Sequence, residues 1–408
     1  MKKALNLSKG VQKFVQYNSD LMPAEKLEKV TALHSRFTAA LHHRNPDELK
    51  VLEKELISSC EGAVPNHKSS AVKENIEVIV VAIVVALGIR AYFLQPFKIP
   101  TASMQPTLNG ITAQVVPESQ SFPNPVVRGI EYLARGRNYV DLRIPADWGT
   151  VQMIGIRQRS TLHFFTMTDL IFVDAARRER VLTGYVPARQ LWESLWMAPR
   201  PAMASTNELT GGGGEKFEVK VQSGPMPGGT LIGRGIIDTG DQVLVNKMAY
   251  HFRRPERGEV FVFGTAGIKG IQPPPGVDSQ HYIKRLTALP GDKVQLVSTG
   301  EQTTNARGDL CNLATFEING APASETGMQK VMGRQNNYAG YTTMDRAWGI
   351  FMKGTQPVQL NAKEYLAMGD NSPDSSDSRV WGPVPEKNLV GPALMVYWPF
   401  LPHFGLIR

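Results

Sequence analysis

Hydrophobic positions change their period along the chain, and each change predicts a different kind of element. Leu27, Val30, Leu33, Phe37 and Leu41 recur at intervals of three and four, as do Leu49, Leu52 and Leu56. That spacing gathers side chains on one face of an α-helix. Asn45-Pro46-Asp47 separates the two runs with a break and an N-cap signal. A helical hairpin is therefore expected near the N-terminus, with apolar faces that need a surface to pack on. From Ile76 to Phe97 the chain is almost continuously apolar. Its charge-free part is about 12 residues, short of the ~20 that a bilayer span needs. A buried core helix, a buried strand and a span with charged ends all fit. Arg90 suits a head-group layer, and Tyr92 and Phe93 suit an aromatic belt.

After Leu108 the pattern becomes one of short strands and turns. Leu162-His163-Phe164-Phe165, Leu170-Ile171-Phe172-Val173 and Phe217-Glu218-Val219-Lys220-Val221 read as strands. Residues 187–196 read as a short helix with Leu191 and Leu195 on one face, and residues 211–214, four glycines, as a flexible joint. From Gly235 onward short apolar strands alternate with turns: Val243-Leu244-Val245, Val260-Phe261-Val262-Phe263, Tyr282-Ile283-Lys284-Arg285-Leu286 and Val294-Gln295-Leu296. This is the pattern of an all-β, partly closed sheet.

Composition narrows the class. The 408 residues allow two or three domains, and 42% hydrophobic content argues against a multi-span membrane protein. The 37 glycines and 28 prolines agree with many turns. A net charge of +8 suits nucleic acid or anionic lipid. No basic run is interleaved with aromatics, so the membrane surface is the favoured partner and nucleic acid is not expected. Cys60 and Cys311 are too few for a disulfide framework and fall on opposite sides of the apolar segment. They read as unrelated small apolar residues. Met1-Lys2-Lys3 opens like a signal peptide, but no apolar core follows it, so the first 70 residues are expected to persist in the mature protein. Residues 1–73 hold a dozen Lys and Arg, with Lys68 and Lys73 nearest the apolar segment. The positive-inside rule then puts the N-terminus in the cytoplasm and everything after Phe97 outside.

Ser103 lies between Pro100 and Pro106, just after the apolar segment. A serine hydroxyl needs a base. Of eight histidines, His251, His281 and His403 are the outward candidates, and none sits in a triad context; no HExxH or Cys/His metal spacing is present. Lysine is the other base that serves serine, provided desolvation or a nearby cation keeps it neutral. On a strand, Tyr282, Lys284 and Leu286 share one face, so Lys284 is expected to point into apolar surroundings. Taken alone, such a lysine is more often a snorkelling residue than a base.

Four stretches, in order, resemble the bacterial type I signal peptidases, a family of Ser-Lys membrane proteases. They are Gln95-Pro96-Phe97-Lys98-Ile99-Pro100-Thr101-Ala102-Ser103-Met104-Gln105-Pro106-Thr107-Leu108; Gly240-Asp241-Gln242-Val243-Leu244-Val245-Asn246-Lys247 with residues 257–263; Tyr282-Ile283-Lys284-Arg285-Leu286-Thr287-Ala288-Leu289-Pro290-Gly291-Asp292-Lys293-Val294; and Met368-Gly369-Asp370-Asn371-Ser372-Pro373-Asp374-Ser375-Ser376-Asp377-Ser378-Arg379, followed by Trp381-Gly382 and Val384-Pro385. The resemblance implies a mainly β fold: a signal-peptidase-like, partly closed β-sheet catalytic domain with an N-terminal helical region and one transmembrane helix. Five segments follow: a cytoplasmic helical region over 1–73, an anchor over 74–97, the nucleophile segment over 98–110, a mixed α/β insertion over 111–235, and the rest of the catalytic domain over 236–408.

By the same resemblance Ser103 is the acylated nucleophile and Lys284 the general base. The Ser103 N–H and the Thr101 hydroxyl form the oxyanion hole. Ser375 orients the lysine, Asp377 and Arg379 form a bracing ion pair, and Met104 packs beside the nucleophile. Gly369 and Asp370 are expected to form a turn. The implied reaction is removal of signal peptides from secretory precursors after small residues in the A-x-A manner, at a bacterial plasma membrane, with no metal or cofactor. Ser372 and Pro373 depart from the family pattern. The resemblance leaves residues 1–70 and the 111–235 block uncovered. A catalytically silent, membrane-tethered scaffold is the alternative reading. A self-cleaving repressor of related fold is a weaker rival, since no DNA-binding half is visible.

Overall fold

The computed structural model describes residues 2–42, 46–63, 71–161, 165–203, 217–271, 279–343, 351–352 and 355–407. The chain divides into two compact units, Met1–Leu87 and Gly88–Arg408.

In the first unit the helices Lys2–Asn18, Ala24–His42 and Pro46–Ala63 share one core. The faces carrying Val30, Leu33 and Phe37 and carrying Leu49, Leu52 and Leu56 close on each other. The third surface comes from Val11 and Phe14 of the first helix. The expected hairpin is thus part of a three-helix cluster that covers its own apolar faces. The cap position Asn45 and the residue Lys68 lie outside the described residues. The helix Ala71–Tyr92 is different. Its stretch Asn75–Tyr92 has mean hydropathy 1.9, is long and apolar enough to cross a membrane, and is not buried in the protein. Ile76, Val78, Val80, Val84 and Leu87 are all more than half exposed. The strand and core-helix readings of this segment are therefore set aside. A helix apolar on all sides with no protein around it matches a lipid environment better than water.

The second unit is mostly β. Its largest sheet runs, in spatial order, Leu94–Lys98, Gln242–Asn246, Leu389–Trp398, Val260–Gly264, His281–Ala288, Glu364–Met368 and Val384–Pro385, with Gly405–Leu406 pairing on Leu389–Trp398. Every pairing is antiparallel, and register shifts in three of them bend the sheet. Bending brings the first strand's continuation, with Ser103, to the strand His281–Ala288, with Lys284. Four strands between Lys293 and Gln359 form a second sheet over a core of Val294, Leu296, Phe316 and Met368.

Between the nucleophile segment and Gln242 stand two further sheets. Leu231–Asp238 pairs with both Thr112–Val115 and Arg137–Arg143. A six-stranded sheet is built on Thr150–Thr161 and Phe165–Asp174. They share a core that includes Ile156, Phe172, Leu191, Leu195 and Val219. The expected helix at 187–196 is a short α-turn, Ala188–Gln190, running into a π-turn, Leu191–Leu195, whose two leucines are buried. The helix Pro125–Arg135 was not expected. Asn124 accepts from the Val127 N–H at 2.9 Å, and Gly136 closes the helix at φ 65°. Of the expected strands, residues 162–164 fall outside the described residues, as do the glycines at 211–214.

Candidate active site

Ser103 sits in the short 3₁₀ turn Ala102–Met104, just after the edge strand Leu94–Lys98. Three apolar residues fix this turn. Ile99, Met104 and Leu108 are buried with Val243 and Val245. The chain then doubles back so tightly that a Cβ on Gly110 would lie 2.2 Å from the Thr101 carbonyl, so only glycine fits. Asn371 holds the turn from the far side. Its N–H donates to the Ser103 carbonyl at 3.1 Å, and its Nδ2 donates to the Ala102 carbonyl at 3.2 Å.

Lys284 comes from the strand His281–Ala288, which has neighbours on both edges. The alternation seen in the sequence suggested one apolar face. In the structure residues 284–288 are all buried, because both faces of this central strand are covered. Lys284 Nζ lies 2.5 Å from Ser103 Oγ, and Thr101 Oγ1 lies 3.4 Å from the same oxygen. Burial pushes the Lys284 ammonium down to about 8, against the opposing pull of Asp377 and Asp370. At pH 7 roughly one molecule in ten then carries a neutral amine, against about one in 3,000 for an ordinary lysine.

The two carboxylates nearest in charge to Lys284 are each bound by an arginine. Arg285 Nε and Nη2 donate to Asp370 at 2.8 and 2.6 Å, and both side chains are fully buried. Thr107 of the nucleophile segment donates to the same carboxylate. Arg379 Nε and Nη2 donate to Asp377, each at 2.8 Å, and its remaining N–H groups reach Thr342 and the carbonyls of Ser372 and Ser375. Burial raises the Asp377 carboxyl, but Arg379 and the Gly369 N–H hold it below the usual carboxylate range. Sequence reading missed the Arg285–Asp370 pair. Its signal was slight: an arginine next to Lys284, and an acid assigned to a turn. Gly369 is needed for room. A Cβ there would lie 2.2 Å from Ser375 Oγ and 2.5 Å from the Ser103 carbonyl. Ser375 is buried, and its hydroxyl has no hydrogen-bond partner among the described residues.

The histidines stand apart. His281 packs its ring on Phe97 at 5.2 Å, His403 Nδ1 meets Asp241 at 2.9 Å, and His251 is exposed. Ser372, one of the two departures, is buried, and its Oγ accepts from the Thr342 N–H at 3.0 Å. Pro373 is the second residue of the 3₁₀ turn Ser372–Asp374. Among the described residues no group of three or more His, Cys, Asp or Glu could hold a metal ion.

The family model described as signal peptidase, peptidase S26, matches residues 72–130 and 236–398, more than half of the chain. The match skips most of the inserted block. A signal peptidase I of Leptolyngbya laminosa is 32% identical over 40% of this chain and 63% of that protein. A signal peptidase I of Pseudomonas fluorescens is 30% identical over 45% of this chain and 70% of that protein. The chain thus spans somewhat under two thirds of the first of these relatives. A solved signal peptidase I structure from Enterococcus faecalis V583 aligns over 34% of this chain and 97% of that one, at 23% identity and a TM-score of 0.22. With the family model covering more than half of its residues, the chain belongs to the signal peptidase family, peptidase S26.

Proposed function

We propose that this chain is a membrane-anchored serine endopeptidase that removes N-terminal signal peptides from exported precursors, cutting after small residues. The observation that carries the reading is the 2.5 Å contact between Lys284 Nζ and Ser103 Oγ in a site where burial favours the neutral amine. The neutral amine of Lys284 takes the Ser103 proton as Oγ attacks the scissile carbonyl carbon. The negative charge that develops on the carbonyl oxygen is held by the Ser103 N–H and the Thr101 hydroxyl, on the order of 3 kcal/mol per donor. The C–N bond then breaks, and the Lys284 ammonium returns its proton to the leaving amine. A water molecule, deprotonated by the same lysine, hydrolyses the ester and frees the signal peptide's carboxylate.

Ser375 enters after acylation. Once Ser103 Oγ is esterified, Lys284 needs another hydrogen-bond partner, and the unpartnered Ser375 hydroxyl is available to orient it. The bracing roles follow the same logic. Asp377 and Arg379, with Arg285 and Asp370, fix the walls of the site, and Met104 seats the nucleophile turn in its core. The helix Ala71–Tyr92 anchors the chain, with the Lys- and Arg-rich N-terminus in the cytoplasm and Ser103 on the opposite side. A secretory precursor incubated with the detergent-solubilised protein is expected to be cut once, after a small residue. Ser103→Ala and Lys284→Ala are expected to leave it intact. Equal cleavage by all three proteins would overturn the assignment, and cleavage by none would favour a silent scaffold.

A further inference from the structure

A cavity of about 250 Å³ lies where the inserted block meets the large sheet. Lys98 and Thr239 line it from the sheet side, and Tyr132, Asn138, Thr166 and Tyr185 from the block. Lys98 is the last residue of the edge strand that leads to Ser103. Among the described residues that line the cavity it is the one cationic side chain, and none is Asp or Glu. Among the described residues the Lys98 ammonium has no hydrogen-bond or ion-pair partner. Burial alone lowers its affinity for a proton, with no carboxylate nearby to oppose the effect. The Thr239 hydroxyl is also buried without a partner. Asn138 is held in place by donating to the Tyr185 carbonyl at 2.7 Å.

A half-buried cation beside an unpartnered hydroxyl lacks one negative charge. One ammonium balances one carboxylate, whereas a phosphate monoester carries about 1.5 to 2 negative charges at pH 7 and would leave the cavity negative. The volume lies below the roughly 300–1,000 Å³ of sites for drug-sized ligands and suits a carboxylate on a short stem.

We propose that this cavity is a carboxylate-binding subsite, with Lys98 as the counter-charge and the hydroxyls of Thr239 and Tyr185 as neutral donors. The carboxylate comes from an acidic side chain of the precursor or from a free small acid. The first source rests on the function proposed above: an extended precursor lying along the outer edge of the strand Leu94–Lys98 would run past Lys98. The inserted block then supplies one wall of a subsite beside the nucleophile segment.

The test uses the full-length Ser103→Ala protein in detergent, with its lysines labelled with ¹³C at Cε and the Lys98 resonance assigned through Lys98→Arg. The Lys98 titration is followed alone and with acetate, with inorganic phosphate, and with two precursor peptides that differ only in a Glu or Gln beside the cut. A carboxylate ligand should move the Lys98 midpoint upward by about a tenfold change in proton concentration. A shift with acetate identifies free acids as ligands, and a shift with the Glu peptide alone identifies the precursor. No shift with either, an equal shift with the Gln peptide, or a larger shift with phosphate than with acetate would each overturn the proposal. Thr239→Val should weaken the shift, and Tyr185→Phe serves if that variant does not fold. The readout needs no cleavage, so failure of the subsite and failure of the peptidase reading give different results.

Discussion

The inserted block and the large sheet each bury a charged group, and they treat it in opposite ways. In the block, the fully buried Asp169 carboxylate accepts from Thr183 at 2.7 Å, Arg159 at 2.9 Å and Arg157 at 3.2 Å. Burial raises its carboxyl, and these donors more than offset that, holding it below the usual carboxylate range. Such a group ties strands together and has no capacity left for chemistry. In the sheet, Lys284 is equally buried, but the acids that could hold its proton, Asp370 and Asp377, are bound by Arg285 and Arg379. The arginines brace the site and also keep the lysine short of a counter-charge. On the proposed function, reactivity comes from leaving one charge uncompensated while its neighbours are fully paired.

Lys284→Met probes this contrast most strongly. Cleavage should fall by about a thousandfold or more, because the hydroxyl loses its base. Stability should rise at the same time. A lysine that titrates near 8 when folded and near 10.5 when unfolded destabilises the fold at pH 7 by roughly 3 kcal/mol, and methionine removes that cost. Denaturant melts of the two proteins check this, and a less stable Lys284→Met would break the comparison. Asp370→Asn should do the reverse. It leaves Arg285 buried and unpaired, at a cost of about 3–5 kcal/mol. It also removes a charge that raises the Lys284 midpoint, so that midpoint should fall. Asp169→Asn, whose arginines remain half in water, should cost nearer 1–3 kcal/mol and leave the lysine titration where it was.

Much of this arrangement was legible in the chain, and the parts that were not have a common cause. Period-two patterning placed a strand at Tyr282–Leu286, within the observed His281–Ala288, but alternation only sorts side chains onto two faces and could not reveal that both are covered. The Arg285–Asp370 pair joins positions 85 residues apart, and nothing local marks such a partnership. The apolar segment reads as short because Glu77 and Arg90 interrupt it, yet the helix runs unbroken from Ala71 to Tyr92, and the segment's last residues, from Leu94, leave it for the edge strand of the large sheet. The helix Pro125–Arg135 did carry its signals, a proline at its first turn and Gly136 as its stop, inside a block where strands were expected. The nucleophile segment and the last box were legible only through resemblance, since neither has a periodic pattern of its own.

The uncompensated lysine also fixes the sign of the pH response. In the proposed mechanism cleavage requires the neutral amine, so the rate should rise with pH through about 8 and fall about tenfold for each unit below it. Stability runs the same way. Between about 8 and 10.5 the unfolded chain binds the extra proton, so this group's destabilisation eases as pH rises through that window and is present in full below it. A cleavage profile flat down to pH 5 would remove Lys284 as the base. It would also remove the reason for reading the two regions differently.

The smallest expected effect is the sharpest test of what belongs to the chemistry. Ser375→Ala removes a buried hydroxyl that has no partner among the described residues, so the melting temperature should stay the same or rise slightly. If Ser375 only fills space beside Gly369, cleavage should be unchanged as well. If it orients Lys284 once Ser103 is esterified, acylation should proceed while deacylation slows by about tenfold, and acyl-enzyme should accumulate as a burst of released mature chain. A burst without a change in melting temperature would place Ser375 with Lys284 in the chemistry. An unchanged time course would place it with Asp169, among residues whose work ends when the chain has folded.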